Sequence, residues 1–258
     1  DLKGLSSLTA KRKAEDRHAR RVPYYGPYSR KARQMRQEIT EAVARAVEAN
    51  TLPRFAEPAA RQEVRERRER VREYVEEVYR EVGRRFAQEN ARSLSGNVDT
   101  QQIEQAWTEE VGQWVLGAAL GGALVAFILS TLTKDLVRVI GRGVEEGEST
   151  GQIASRLRRE MQPVNKRRGR VIARTEVAGA SNKGAHFGAL RVSGAVRKEW
   201  VNMDDDRVRL SHRIVDGNKV RVGDLFRWNS PNSGQTVEAK YPHDPRLPGP
   251  DRYRCRCI

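Results

Sequence analysis

The sequence predicts an α+β protein: an elongated, mainly helical N-terminal body followed by a small C-terminal α+β domain. Three observations carry this. Apolar residues recur at helical spacing through most of the chain up to Gly194. Alternating, strand-like texture begins only after that glycine. Charged residues make up 32% of the 258 positions and aromatics 6%, so much of the chain must be solvated helix surface or extended arm.

The expected division is a basic, partly disordered arm over 1–31, a helical body over 32–160 and the α+β domain over 161–258. Residues 1–31 hold 9 Lys/Arg against 3 Asp/Glu, with Pro23, Gly26, Pro27 and three tyrosines among them. Basic charge interleaved with aromatics suits phosphates and bases, and equally a solvated tail. Lys11, Arg12, Lys13, Arg20 and Arg21 are the contact candidates here. The start "DLKGLSSLTA" has no apolar run of signal-peptide type, and two cysteines do not make a disulfide framework, so synthesis in a reducing compartment is expected.

Residues 32–49 read as helix, and Pro53 and Pro58 mark a break. Val64, Val71, Val75, Val78, Val82 and Phe86 then fall on one narrow stripe of a long helix, with Glu and Arg at pairing distance on its other faces. That stripe needs a partner helix, from this chain or from another subunit. "SLSGN" at 93–97 interrupts it. Asp99 starts a new helix, with Gln102 placed as in a capping box.

Residues 111–133 carry no charge. As one helix these 23 positions would span roughly 34 Å, enough for a bilayer core. Gly117 and Gly121 would allow a close helix contact. The alternative is a helix buried on all sides, favoured because the helical pattern runs straight on through "KDLVRVIGRGVEEG". Ser149 and Gln152 form a second capping box, and Pro163 is expected to separate the short helix after it from "NKRRGRVIARTEVAGASNKGAHFGAL". The run "NKRRGR" supplies Lys166, Arg167, Arg168 and Arg170 as candidates for DNA or an acidic partner surface. Beyond Gly194, "AVRKEWVN" and "KVRVGDLFRW" read as strands around the turn "VDGNKV".

Taken in order, several stretches resemble the Mu F-like family of phage minor head proteins, or head morphogenesis proteins. They are Arg174-Thr175-Glu176 within "ARTE", Asn182 and Gly184 as a glycine-poised helix end, and Trp200. Asp204 to Asp206, the turn Asp216-Gly217 and the terminal Cys255-Arg256-Cys257 follow. The resemblance covers about 140–258. It implies a structural minor capsid protein inside a tailed-phage virion, made in the bacterial cytoplasm and not an enzyme. Portal protein, major capsid protein and non-specific double-stranded DNA are the implied partners. Self-association through the long helices and a host membrane during DNA ejection are further expectations. A DNA-ejection protein whose 111–133 helix inserts into the membrane, or a metal-dependent nuclease, are the alternatives.

Relatives often carry Cys-x-x-Cys before the "DG" turn and His-Pro before the terminal cysteines. Here 209–212 reads Arg-Leu-Ser-His, and His243 stands further upstream. Zinc would draw on His212, His243, Cys255 and Cys257, with Arg209 opposing it at a relative's ligand position. Otherwise no cofactor is expected, and the cysteines are small buried side chains pinning the chain's last strand, with Arg254 and Arg256 on its other face. A nuclease would use Asp204, Asp205, Asp206, His212 and Asp216. No phosphate-binding glycine loop, nucleophile elbow or zinc-protease motif appears.

Overall fold

The computed structural model describes residues 2–116, 121–192, 194, 196–203, 205–206, 208–253 and 255–258; the side chains of 2–8, 115–116 and 121 are not described. Its helices are α1 Leu2–Glu48, α2 Ala56–Glu66, α3 Arg68–Val78, α4 Arg84–Leu94, α5 Thr100–Leu116, α6 Gly121–Glu145 and α7 Thr150–Leu190. Short elements follow: β1 Arg197–Glu199, α8 Leu210–Val215, β2 Lys219–Arg221, β3 Phe226–Ser230, β4 Gln235–Ala239 and α9 Gly249–Arg252. A helical body and a small α+β region are both present.

The linear division at 31 and 160 is not how the chain gathers. One compact unit combines 1–26, 77–114 and 174–258, and the other combines 27–76 and 115–173. The expected arm is the first part of α1. Ala14, Arg21, Tyr28, Ala32, Met35 and Ile39 are buried along it, at steps of seven and then of four and three. Burial at that spacing outweighs the backbone bonds that Pro23 and Pro27 remove. Pro163 likewise lies inside α7 rather than between two helices, with Met161 and Asn165 buried on either side of it.

In the second unit, α2 packs on α6. Its buried polar centre is Asp135, which accepts from Arg36 at 2.8 Å and from Arg168 at 3.2 Å. Arg36 Nε also donates to Asn165 at 3.1 Å, so every strong charge here has an opposite or polar partner.

The valine stripe is buried from Val64 to Phe86, though α2, α3, a π turn over Tyr79–Gly83 and α4 replace the single long helix. The stripe is covered within the chain itself. Helix α5 is capped as expected, with the Gln101 and Gln102 N–H groups donating to Asp99 Oδ1 at 2.9 and 3.1 Å. Ser149 and Gln152 form a reciprocal capping box at 2.8 and 3.3 Å. The uncharged stretch 111–133 is shared between α5 and α6, and Gly117 lies outside the described residues. Val111, Leu124, Ile128 and Leu132 are buried. Among the described residues no helix is long and apolar enough to cross a membrane.

In the first unit, α4 and α7 meet backbone to backbone. A Cβ on Gly184 would lie 2.1 Å from the Gly83 carbonyl oxygen, and one on Gly188 would lie 2.2 Å from that of Ala87. Gly184 therefore serves a close helix crossing, not a helix end. The strands form two antiparallel pairs, β1 with β2 and β3 with β4, with Trp228 opposite Val237. "KVRVGDLFRW" is thus two strands divided at a turn, with Asp224 N–H on the Arg221 carbonyl at 3.0 Å. Phe226, Trp228 and Ser230 alternate inward along β3. Phe226 and Trp228 join Trp200, Val215, Val237, Ala239, Leu247, Cys255 and Cys257 in one small core.

Candidate metal centre

The C-terminal segment is drawn into that core by a reciprocal backbone pair. Val201 N–H donates to Ile258 at 2.8 Å, and Ile258 N–H returns to Val201 at 2.9 Å. This sets Cys255 and Cys257 on the inner side, where both are buried. The one-turn helix α8 brings His212 to them from the other side, its ring edge-on to Trp200 at 5.7 Å. The turn Asp216-Gly217 then returns the chain to β2. Gly217 takes φ 75, a region open to glycine, and its N–H donates to the Trp200 carbonyl at 2.8 Å. Asp216 Oδ1 accepts from the Asn202 N–H at 2.7 Å.

The two sulfurs converge on one nitrogen. Cys255 Sγ lies 3.2 Å and Cys257 Sγ 3.3 Å from His212 Nδ1. All three donor atoms lie within 4.8 Å of one another. Metal–donor bonds of about 2.0–2.3 Å set tetrahedral donor–donor edges near ~3.5 Å, so the trio fits one zinc-sized ion with little movement. The adjoining cavity is ≈ 10 Å³, about one water, which leaves room for a fourth ligand from solvent. His212 Nε2 is buried with no partner among the described residues.

Of the three groups, only Cys255 is held towards its ligating form in the absence of an ion. Burial pushes the Cys255 thiol up, but the Cys257 hydrogen bond and the neighbouring histidines hold it well below its ordinary value. Cys257 is pushed up by Cys255 and by burial. Burial pushes His212 down, and the Cys255 thiolate more than offsets it.

His243 is not part of the trio, against the four-ligand expectation. Its Nε2 donates to the Cys255 carbonyl at 2.8 Å, and its Nδ1 faces the Asn182 amide at 3.4 Å. Both ring nitrogens are used, so no lone pair remains for a metal. The residue sits at φ 69, a strained backbone for histidine that these bonds hold. Arg209 does not point its charge at the sulfurs unopposed, since its guanidinium donates to the Tyr253 carbonyl.

Residues 134–258 match the family model described as Phage Mu protein F like protein. This part of the chain is similar to that family. A stretch of 137 residues is 28% identical to the uncharacterised protein YqbB of Bacillus subtilis (strain 168), covering 52% of this chain and 43% of that relative. The chain thus spans less than half the length of the relative it matches. No solved structure matches.

Within the Mu F-like region the motif residues have internal tasks. Glu176 is buried and accepts from Arg252 at 3.0 and 3.2 Å. Thr175 is buried beside it, whereas Arg174 is exposed. Trp200 is fully buried against Phe226 and Trp228 at 5.4 and 5.2 Å. The described aspartates of the nuclease alternative form no cluster with one another. Asp205 pairs with Arg256, Asp216 serves the turn, Asp206 is exposed, and Asp204 and Arg254 lie outside the described residues.

The basic candidates divide. Arg12, Lys13, Lys166, Arg167 and Arg170 are exposed and Lys11 is half-buried. Arg20 is exposed but paired with Asp16 and Glu89. Arg168 is engaged by Asp135. Arg21 is fully buried and donates to Asn182, so it is no DNA contact. Two polar residues organise the region: Asn182, named in the sequence as part of a helix end, and Asp251, which the sequence does not single out. Asn182 donates to the Pro242 and Cys257 carbonyls at 2.9 and 3.3 Å. Asp251 accepts from Ser211, Ser230 and Asn232 at 2.5, 2.8 and 2.8 Å. Neither sits in a pattern that spacing alone reveals, because each joins segments distant in sequence.

Proposed function

We propose that the chain is a structural minor head protein of a tailed phage, held on the portal or the inner capsid wall beside packaged DNA. The observation that carries this is the Mu F-like match over 134–258, whose motif residues are spent on internal contacts. Glu176, Trp200 and Asp216 build a scaffold. The exposed Lys166, Arg167 and Arg170 give α7 a basic surface for phosphates or an acidic protein face. The site to test is its place in the particle. Purified heads, separated from tails, should contain the protein, and it should co-purify with the portal after capsid disruption. Its recovery with tails or only in the unassembled fraction would sink this reading.

His212, Cys255 and Cys257 would hold one structural zinc, a Lewis acid that here would only tie α8 to the C-terminal segment. The convergence of both sulfurs on His212 Nδ1 favours this over cysteines held by packing alone. Elemental analysis of purified protein should return about one zinc per chain.

A further inference from the structure

Within the second unit, α1 and α7 run antiparallel along a close seam. Gly169 sits against Ser29 and Arg33, where an added Cβ would lie 3.1 Å from the Ser29 carbonyl oxygen and 3.0 Å from the Arg33 nitrogen. Further along, Asn165 donates to Thr40 at 3.1 Å and accepts from Arg36 at 3.1 Å. The α1 numbers rise as the α7 numbers fall, which fixes the direction. With a glycine against backbone, the axes approach at the short end of the usual range of about 8–10 Å.

The seam is neutralised at one end and not at the other. Arg158 meets Glu41 at 3.1 Å and Glu48 at 3.0 Å. Around Gly169 the exposed cations are Arg30 and Arg33 on α1 and Lys166 and Arg170 on α7. None of these four has an ion-pair partner among the described residues. Glu38, the next carboxylate along α1, is held by Arg70 at 2.9 Å. Arg30 follows Ser29 by one position, and Arg170 follows Gly169 by one. Each such step is a rotation of about 100°, and in antiparallel helices it carries both side chains to the same side of the seam. Arg33 and Lys166 lie one turn from them, so the four make one basic strip across two helices.

The surroundings of the strip select its partner. No exposed large apolar side chain falls within 27–40 or 160–173, whereas a protein interface is anchored by such side chains at its centre. Tyr28, the one aromatic residue in those segments, is buried, so no ring is offered on which a single strand could stack. We propose that Arg30, Arg33, Lys166 and Arg170 together grip the sugar–phosphate backbone of double-stranded DNA, without regard to base sequence. This rests on the reading of the chain as a head protein beside packaged DNA. It names which of the two partners the basic surface of α7 meets, and it brings α1 into the contact.

The test is the salt dependence of binding between the full chain and a mixed-sequence duplex of about 30 base pairs. Four phosphate contacts contribute about 3.6 to the fall of log K with log salt. Arg33→Gln combined with Arg170→Gln should therefore reduce that slope by about 1.8, with the melting temperature unaltered because both side chains are exposed. Arg221→Gln, at an exposed position of β2 in the first unit, should leave the slope unchanged. Three results would overturn the proposal. The first is an unchanged slope in the double variant, which places any DNA contact elsewhere. The second is tighter binding of a single strand of the same length. The third is tighter binding of poly-glutamate at matched charge, lost in the double variant, which makes an acidic protein the partner. Failure here and failure of the head-protein reading are separable. An unchanged slope would remove the strip and leave the protein's place in the particle standing, and absence from purified heads would do the reverse.

Discussion

Arg252, on the short helix α9, donates to both oxygens of Glu176 on α7, with both side chains buried. Tyr79 adds its hydroxyl to the same carboxylate at 3.4 Å. Burial lowers the Arg252 guanidinium and Glu176 more than restores it, so the arginine ends above its ordinary value, while burial pushes the Glu176 carboxyl up despite the pair. This contact gives the glutamate of "ARTE" a physical reason: it tethers the C-terminal segment to α7. Removing either partner strands a buried charge, at a cost of about 3–5 kcal/mol. Glu176→Ala and Arg252→Ala should each lower the urea midpoint by that equivalent. The double replacement Glu176→Met with Arg252→Met should cost less than the sum of the two. Strict additivity would show that the two residues do not depend on each other.

Gly184 and Gly141 should respond to alanine with opposite signs. A Cβ at Gly184 meets the Gly83 carbonyl at 2.1 Å, and backbone cannot swing aside as a flexible side chain does. Gly184→Ala should therefore destabilise by about 1–3 kcal/mol or prevent α4 and α7 from closing. At Gly141, inside α6, an added Cβ meets nothing within 4 Å. Gly141→Ala should stabilise by about 0.5–1 kcal/mol through lost freedom of the unfolded chain. Thermal melts of the two variants check the pair, and destabilisation at both would remove the close-crossing explanation.

Some of this architecture was open to sequence reading and some was not, for physical reasons. The valine stripe from Val64 to Phe86 declares a buried helical face because its residues are apolar at helical spacing. Ser149 and Gln152 declare a helix start because both halves of the bond lie three residues apart. Arg21 hides its core position behind a charge, and its partner Asn182 lies 161 residues away. Pro23, Pro27 and Pro163 look like breaks, since the burial that sustains α1 and α7 comes from elsewhere in the chain. At the candidate metal centre, residue type pointed to His212, Cys255 and Cys257. Nothing in spacing separated His243 from them. Only the Cys255 carbonyl, which occupies its Nε2, does so.

Acid should loosen the fold in a defined window. Burial, with Lys198 and other cations nearby, pushes His186 down to about 3. Burial likewise pushes His243 down to about 4, against the Cys255 thiolate. Both are neutral in the folded chain, while the unfolded chain protonates them near ~6.5. The unfolded state therefore binds more protons as pH falls, and stability is lost from about pH 6.5 down to about 4 and below. Above that window their contribution is fully present. His186→Gln should reduce the acid dependence between those limits, measured by urea midpoints at stepped pH. An unchanged slope would mean that His186 is protonated in the folded state.

Zinc should discriminate between the two histidines. Loading one equivalent onto purified, reduced protein should raise the melting temperature, and a chelator should reverse it, because an ion bound only by the folded state stabilises by mass action. His212→Ala removes the nitrogen on which both sulfurs converge, so that variant should lose the zinc-dependent rise. His243→Gln should lower the melting temperature, since it disturbs the bonds to Cys255 and Asn182, yet the rise on adding zinc should survive. Cobalt in place of zinc supplies a second readout, with thiolate-to-metal charge-transfer bands expected in wild type and His243→Gln and absent from Cys255→Ser. If His243→Gln abolished those bands and His212→Ala kept them, the ligand set would be the wrong one. If neither histidine mattered, the sulfurs would be held by packing alone, and the C-terminal segment would depend on the Val201–Ile258 pair and the Trp200 core for its place.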